Sequence, residues 1–574
     1  MPVHNADVAS LFEEVADLLD LQEANRFRIR AYRNAARTLR DLSKPVAQMI
    51  ADGDDLADLH GIGDDLAGKI RTIVETGALP LLDDLKGQTA PELTDLMHIP
   101  GLGPKRVRRL HDALGVVTRN DLKAAAQAGR IREVDGFGEV MEQKILDRLE
   151  QPTDERRWLL ADVEPIAQSL IDCLTSFDAE TVVDVAGSYR RRKDTVGDLD
   201  VLALSDDGPG MVDHFVDYED VDTVIEQGDT RASVTLKSGL QVDLRVVPTE
   251  SYGAALLYFT GSKAHNIAVR NRAIDAGMKL NEYGVFTTNE DERRIAGATE
   301  EEMYALFDWP WIPPELREDR GELQAASDDA LPDLIPYDAL RGNLHTHTTD
   351  SDGRASIRAM AEAAVERGLD YLAITDHSPA VRIAQGLDAD ALRTQMDTID
   401  RLNDDLDALR LLKGIEVDIL KDGSLDLPDD VLADVDVCLG AVHSHLDLPE
   451  DEQTDRLVRA LEHPALHILA HPTGRRIRDR PPMNLNWDRL LEAVAECGCA
   501  LELNAQPERL DLNDVLAKRA CEHGIPLVIG ADAHSPNDLD GLRYGIDTAR
   551  RAWLTAEDVL NTKPWPDIKA HFDR

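Results

Sequence analysis

The chain has 574 residues, enough for about three to five domains at roughly 100–200 residues each, and 43% of them are hydrophobic, so each domain can bury a core. Its 109 acidic residues outnumber 63 basic ones, a formal charge of −46 that excludes a uniformly basic nucleic-acid coat. Five cysteines exclude a disulfide scaffold, and no apolar run is long enough for a membrane span, so a cytoplasmic chain with no membrane partner is expected.

Charge is spread unevenly. Residues 1–150 hold 20 Lys and Arg against 26 Asp and Glu, net −6, and the remaining 424 residues carry −40. Only 15 of the basic residues are Lys and 48 are Arg; an acidic, Lys-poor surface suits a salt-rich cytoplasm, so a halophilic source is expected. Residues 1–150 read as helices. Arg26, Arg30, Arg33, Arg37 and Arg40 recur at helical spacing, with Arg28 among them, and make one basic stripe suited to phosphate. One turn recurs three times between helical patterns, at Gly61-Ile62-Gly63, Gly101-Leu102-Gly103 and Gly136-Phe137-Gly138. Paired glycines let backbone approach a phosphate, and the helix that follows offers N–H donors. Three copies, with Lys105 opening a basic run to Arg109, predict helix-hairpin-helix elements that hold DNA backbone without reading sequence.

From 151 to about 250, strands alternate with a helix. Gly187-Ser188-Tyr189-Arg190-Arg191 and then Gly197-Asp198-Leu199-Asp200 lie between apolar, β-branched runs. On a strand, residues i and i+2 face the same side, so Asp198 and Asp200 point together. Paired carboxylates repel unless a cation separates them, and a Gly-Ser turn can offer N–H groups to phosphate, which is the equipment of metal-assisted nucleotidyl transfer. Asp243, on the Gln241–Val247 strand, is a third carboxylate for two ions. After Trp309-Pro310-Trp311-Ile312-Pro313-Pro314, residues 316–340, rich in acidic residues, read as a linker.

From 341 to 574 short apolar strands (Leu372–Ile374, Val437–Val442, Ile468–Ala470, Ala500–Leu503, Pro526–Ile529) alternate with helices, a pattern that predicts a β/α barrel with its site at the strand C-terminal face. This part holds 11 of the 17 histidines. His345, His347, His377, His443, His471 and His534 sit at strand ends with the carboxylates Asp352, Glu416 and Asp532, a set suited to Zn, Mn or Fe. His445, His463, His467, His523 and His571 read as structural, and Cys497-Gly498-Cys499 as a buried strand end.

The stretch from Gly187-Ser188 to Asp200, then Asp243, Tyr258-Phe259-Thr260-Gly261-Ser262, Asn266, Arg270 and Asn281-Glu282-Tyr283-Gly284 resemble the family X DNA polymerases, to which DNA polymerase beta belongs. The histidine pattern resembles the PHP (polymerase and histidinol phosphatase) domain, a seven-stranded β/α barrel with three metals, and the order of the two is that of bacterial and archaeal family X enzymes. The implied architecture is multidomain: an 8-kDa-like helical domain (1–85) and a fingers-like one (86–150), both with helix-hairpin-helix turns, an α+β nucleotidyltransferase palm (151–255), a thumb (256–315) and a PHP barrel (341–574). The implied function is filling of short DNA gaps, with 3′–5′ exonuclease and, as further options, 3′-phosphatase and abasic-site endonuclease activities. Partners are gapped or nicked double-stranded DNA and dNTPs; a monomer is expected.

The resemblance also implies roles. Asp198, Asp200 and Asp243 bind two Mg2+ or Mn2+ ions; Gly187, Ser188, Arg191 and Gly197 frame the triphosphate; Tyr258, Phe259 and Gly261 line the sugar pocket; Asn266 and Arg270 reach base pair and template. The nine histidine-site residues bind about three Zn2+ or Mn2+ ions, and Asn504 and Arg509 assist phosphate binding. Lys69 falls where the family places a Schiff-base lysine for abasic sugars, with Tyr32 and Arg28 at pocket positions. Asp64 and Asp65 beside it favour the ammonium form instead, and Phe27 replaces a histidine, so Lys69 stays open between nucleophile and surface or phosphate-binding lysine.

Overall fold

The structure is a computed structural model that describes residues 5–21, 24–41, 46, 49–50, 56–59, 61–76, 79, 81–82, 85, 96, 102, 104–134, 137–138, 141–142, 145–146, 157–178, 181–288, 293–381 and 384–573. It divides into two compact units, Met1–Arg156 and Arg157–Arg574.

In the first unit the helices Asn5–Leu21, Arg26–Asp41 and Asp64–Thr76 share one core around Phe12, Tyr32, Leu39 and Ile70. Ile29, Tyr32, Ala35, Ala36 and Leu39 recur at helical spacing and are buried, which turns Arg26, Arg28, Arg30 and Arg33 outward. The side chains of Arg37 and Arg40 lie outside the described residues. A second core gathers Val107, Leu110, Leu122 and Ile131 from the helices Pro104–Leu114 and Arg119–Gln127 and the turn after them. Thr118 and Asp121 close a reciprocal cap on the second helix.

The second unit opens with strands β1 (Trp158–Leu159), β2 (Val182–Val185), β3 (Thr195–Val196), β4 (Asp198–Leu204), β5 (Val221–Gln227), β6 (Arg231–Leu236) and β7 (Gln241–Val247). Five of them form the palm sheet in the order β2-β4-β7-β6-β5, with β4 and β7 parallel and β1 paired to β3 alongside. Alternation sorts β4. Leu199, Val201 and Ala203 enter the core made with helices Leu160–Thr175 and Gly208–Val216. Asp198, Asp200 and Leu202 take the opposite face, where Leu202 meets Leu256 of the helix Tyr252–Thr260. That helix crosses the palm–thumb border, since its Leu257 belongs to the thumb core. The thumb adds the antiparallel strands β8 (Met278–Asn281), β9 (Gly284–Thr287) and β10 (Arg294–Ala296) and the helices Lys263–Asp275 and Glu300–Ala305.

Residues 316–340 are a packed strap rather than the expected linker. Leu316, Ala326 and Leu334 join the thumb core, and Ile335 joins the core outside the barrel. Some of the charges that made the segment read as a loop lie in buried pairs. Arg317, fully buried, donates to both oxygens of Glu300 at 2.5 and 2.9 Å, and Glu322 lies 2.7 Å from His265 Nδ1.

The barrel strands are β11 (Gly342–Asn343), β12 (Tyr371–Ile374), β13 (Arg410–Asp418), β14 (Val437–Ala441), β15 (Ile468–Leu469), β16 (Ala500–Asn504) and β17 (Leu527–Gly530). All are parallel, in sequence order, and a parallel bridge between Thr346 and Ala533 joins the two ends. Small and branched residues such as Ala373, Leu439, Ile468 and Val528 fill the interior. The final helix Trp565–Phe572 plugs the strand starts with Trp565, Ile568 and Phe572, while Tyr371 at the start of β12 donates to Lys563 O at 3.0 Å. The opposite end, where strands stop, is left for chemistry. No described helix is long and apolar enough to cross a membrane.

Candidate active sites

In the palm, the parallel register sets Asp200 opposite Asp243 and Asp198 opposite Gln241, so three carboxylates share one face. Burial, then the neighbouring Asp198 and Asp243 charges, pushes the Asp200 carboxyl up to about 7 although Arg245 and Arg191 oppose the shift. Such crowding is relieved by cations, and an all-oxygen set suits Mg2+ or Mn2+. Ser233 Oγ and, at 3.0 Å, Gln241 Nε2 donate to Asp243 and fix its orientation.

The short helix Gly187–Arg190 covers the site where a turn was expected. Gly187 has φ +64, and a Cβ there would stand 2.7 Å from Asp200 Oδ2, so only glycine lets this backbone sit against the carboxylate. Ser188 is half-buried in the same turn. Gly197 faces Arg157, whose Nη1 a Cβ would approach to 3.2 Å. Arg190 donates to both oxygens of Glu300 at 2.8 and 2.9 Å, and Arg191 donates to Thr260 O and, at 3.1 Å, to Glu318. Arg191 is therefore held by protein acceptors. Gly261 (φ +68) lies beside Arg191. The Tyr258 and Phe259 rings meet edge to face at 5.1 Å, and Arg245 lies over Phe259. Asn266 donates to Tyr258 O at 2.6 Å and keeps a buried Oδ1 without a partner; Arg270 is exposed on the same helix.

In the first unit Gly61 takes φ +78 and Gly63 precedes the helix Asp64–Thr76, while Gly138 O accepts from Met141 N and Glu142 N and Lys105 is exposed in the first turn of Pro104–Leu114. Gly101, Gly103 and Gly136 lie outside the described residues. Lys69 Nζ sits 2.5 Å from Asp65 and 5.9 Å from the Tyr32 ring centre, and the buried Tyr32 hydroxyl has no hydrogen-bond partner among the described residues. The pocket elements stand together, but the Asp65 pair engages the amine that Schiff-base chemistry needs free.

At the strand ends of the barrel, ligand-type atoms gather in three adjoining groups: His347, Asp352, His377 and His534; His345, His347 and Asp532; His377, Glu416 and His443. His471 Nε2 lies 2.9 Å from Glu416 Oε1. His345 Nε2 and both nitrogens of His347 are buried without a hydrogen bond, although oxygens of Glu416 and Asp532 stand 3.2–3.6 Å from the Nε2 atoms. Orphaned imidazoles facing carboxylates fit ions shared between them better than hydrogen bonds. Burial disfavours the Glu416 anion, yet His377, His345 and His443 hold it well below the usual carboxylate range. His471 (φ +29) and Asp532 (φ +48) occupy backbone conformations rare for such residues, strain that gathers at functional sites.

Sequence reasoning missed the shell behind these residues. Glu502 accepts from His345 Nδ1 at 2.6 Å and Asp418 lies 2.9 Å from His443 Nδ1, each turning the other ring nitrogen toward the site. Asp376 accepts from Thr348 N and Oγ1 and from Gln395, and so holds the loop that carries His347 and Asp352. The visible signal was an acid inside an apolar strand, Leu501-Glu502-Leu503. Asn504 donates to Asp532 at 3.1 Å and Arg509 lies 3.5 Å from it, while His467 accepts from Cys438 N and stacks on Phe572 on the plugged side.

Fold and sites together define a metal-dependent DNA-processing protein with a polymerase thumb and a separate PHP barrel. Family models match at residues 3–79 (helix-hairpin-helix domain), 93–151 (SAM-like helix-hairpin-helix tandem), 255–318 (DNA polymerase beta thumb) and 343–506 (PHP domain). Asp532 and His534 lie beyond the last match. The DNA polymerase/3′-5′ exonuclease PolX of Bacillus subtilis (strain 168) is 37% identical over 575 residues, covering 100% of both chains. Over 38% of this chain, probable phosphatases of Thermoanaerobacter sp. (strain X514) and Syntrophotalea carbinolica are 28% and 27% identical, with 89% and 90% of their own lengths covered. The chain belongs to the family X DNA polymerases that carry a C-terminal PHP domain.

Proposed function

We propose that this chain fills short gaps in DNA with its palm and hydrolyses phosphoesters at DNA 3′ ends with its barrel, as a cytoplasmic monomer. The reading is carried by one observation: a single compact unit holds two separate convergent ligand sets, one of carboxylates alone and one rich in imidazole. Two Mg2+ or Mn2+ ions at Asp198, Asp200 and Asp243, and about three Zn2+ or Mn2+ ions at the nine barrel residues, supply Lewis-acid stabilisation of phosphoryl oxygens and activated oxygen nucleophiles.

The chain's own groups do the rest. Asp243, oriented by Ser233 and Gln241, helps to activate the primer 3′-hydroxyl. Gly187 and Ser188 offer backbone and hydroxyl to the triphosphate, and Arg191 binds it after leaving Glu318. Tyr258 and Phe259 pack against the sugar, and Asn266 and Arg270 meet the base pair. Residues 1–150 hold duplex backbone through their paired-glycine turns. In the barrel, Arg509 and Asn504 brace Asp532, and Glu502 and Asp418 set the ring tautomers of His345 and His443. A small-molecule phosphatase tethered to an idle palm would need no intact triad, and all three palm carboxylates are present.

The two sites separate by mutation. Asp198→Ala plus Asp200→Ala is expected to abolish dNTP incorporation into a gapped duplex and spare 3′ trimming, and His345→Ala plus His347→Ala to do the reverse. Loss of both activities from either pair would sink the two-site reading.

A further inference from the structure

Between palm and barrel runs a groove of about 430 Å³, lined by Asp194 and Thr195 at the approach to the palm carboxylates and by the segment from Arg475 to Pro482. This segment begins four residues after His471 and carries Arg475, Arg476, Arg478 and Arg480, four arginines in six residues of a chain with net charge −46. It is built, not loose. Arg476 and Arg480 bridge as an antiparallel pair, Ile477 N donates to Glu508 O at 2.6 Å, and the Ile477 side chain packs against the palm core. Arg475 staples the base of the hairpin, donating to Arg509 O at 2.8 Å and lying 3.4 Å from Asp194.

The remaining cations are poorly compensated. Arg476 has one partner, Glu508, at 2.6 Å. Arg480 donates to a carbonyl, Gly474 O at 2.8 Å, and burial, then the Arg509 and Arg476 charges, pushes its guanidinium below the ordinary value. Arg478, exposed at the tip with φ +70, makes no hydrogen bond or ion pair among the described residues. Arg509 continues the row to Asp532 at 3.5 Å, inside the metal-ligand cluster. A row of guanidinium groups that runs from a palm strand to the barrel's ligand cluster suits a chain of phosphates.

We propose that the Arg476–Arg480 hairpin binds the phosphodiester backbone of single-stranded DNA and guides its 3′ end to the barrel site beside His471. The inference rests on the exonuclease reading above. Its ligand is a polyanion longer than the barrel pocket itself, so the groove matters for a DNA strand and not for a small phosphodiester.

The test uses the full chain loaded with Mn2+, as Arg476→Gln plus Arg478→Gln and as the corresponding pair of Lys substitutions. Both side chains are exposed, so the fold is retained. Substrates are a fluorescein-labelled oligothymidine and bis(p-nitrophenyl) phosphate. The Gln pair is expected to raise the KM for oligothymidine about tenfold or more and to flatten its log–log salt dependence by about 1.4, or about 0.7 for each lost phosphate contact. Hydrolysis of the aryl ester stays at the wild-type rate, and the Lys pair recovers most of the oligothymidine KM. An unchanged KM in the Gln pair, or an equal loss on both substrates, overturns the groove. If the wild-type chain cleaves the aryl ester but trims no DNA 3′ end, the exonuclease reading falls and the groove with it.

Discussion

Glu300 offers a test of how the strap supports the phosphate-binding turn. Its Oε1 accepts from Arg190 and Arg317 at 2.8 and 2.5 Å, and its Oε2 accepts from Arg190, Arg317 and Trp311 Nε1, each at 2.9 Å. Glu300→Gln keeps one of these oxygens. Whichever way the amide turns, its NH2 faces two guanidinium N–H groups. Two lost charge-assisted hydrogen bonds, at about 1.5–3 kcal/mol each, predict a destabilisation of about 3–6 kcal/mol, close to the range for a buried pair stripped of one partner. Urea unfolding followed by tryptophan fluorescence measures it, since Trp311 reports on the same cluster. The dNTP KM should rise as well, because Arg190 is next to Arg191. The acid dependence has a definite sign. Burial favours the protonated form, but Arg317 and Arg190 hold Glu300 far below its ordinary value of 4.5. Its contribution is thus fully present above that value and is lost as pH falls through the lowered one, so the gap between wild type and variant shrinks on acidification. A change under about 1 kcal/mol, or a gap independent of acid, would show that Arg317 and Arg190 are held by something else.

Two further predictions concern metal. Glu502→Gln removes the acceptor behind His345 Nδ1 and should weaken barrel metal binding about 10–100-fold; elemental analysis after dialysis against a graded chelator checks it, and unaltered retention counts against the orienting role. In the metal-free palm, Asp200 holds a proton up to about pH 7. A raised carboxyl stabilises the fold fully below its ordinary value near 3.8, and that contribution is lost as pH rises toward 7. Mn2+ must displace the proton, so palm affinity, titrated in the His345→Ala plus His347→Ala protein, should fall about tenfold per pH unit below about 7. A flat profile there would mean that Asp200 is not a ligand.

Periodicity made the nearest-neighbour geometry legible. Two residues of spacing put Asp198 and Asp200 on one face of β4, and apolar runs ending in histidine located the barrel's chemical end. What stayed hidden depended on contacts far apart in sequence. Composition made residues 316–340 a linker because acid and arginine look solvated one residue at a time. Only the fold reveals that Arg317 answers Glu300 and that Glu315 lies 2.7 Å from Arg550. Glu502 left a signal as an acid between leucines of β16, but its partner His345 lies 157 residues away and only the fold joins them. The arginine run after His471 is plain in the sequence, but the groove it lines depends on Ile477 reaching the palm core.

The same contacts give a structural reason for arginine over lysine at particular positions. Arg192, between Glu164 at 2.6 Å and Asp547 at 2.7 Å, ties the palm to the barrel. Arg551 donates to Asp514, Glu318 and Arg191 O, joining the barrel and the strap to the phosphate-binding turn. Arg456, fully buried, donates to Leu420 O, Ser444 O and Ile419 O. Each position asks one side chain for donors in several fixed directions inside low-dielectric surroundings. A planar guanidinium meets that demand and a single ammonium does not. A surface this acidic disfavours DNA at long range, so arginines that are not consumed in such joints carry more weight. Among them, Arg26, Arg28 and Arg30 face outward on the helix Arg26–Asp41, and Arg478 is exposed in the groove beside His471.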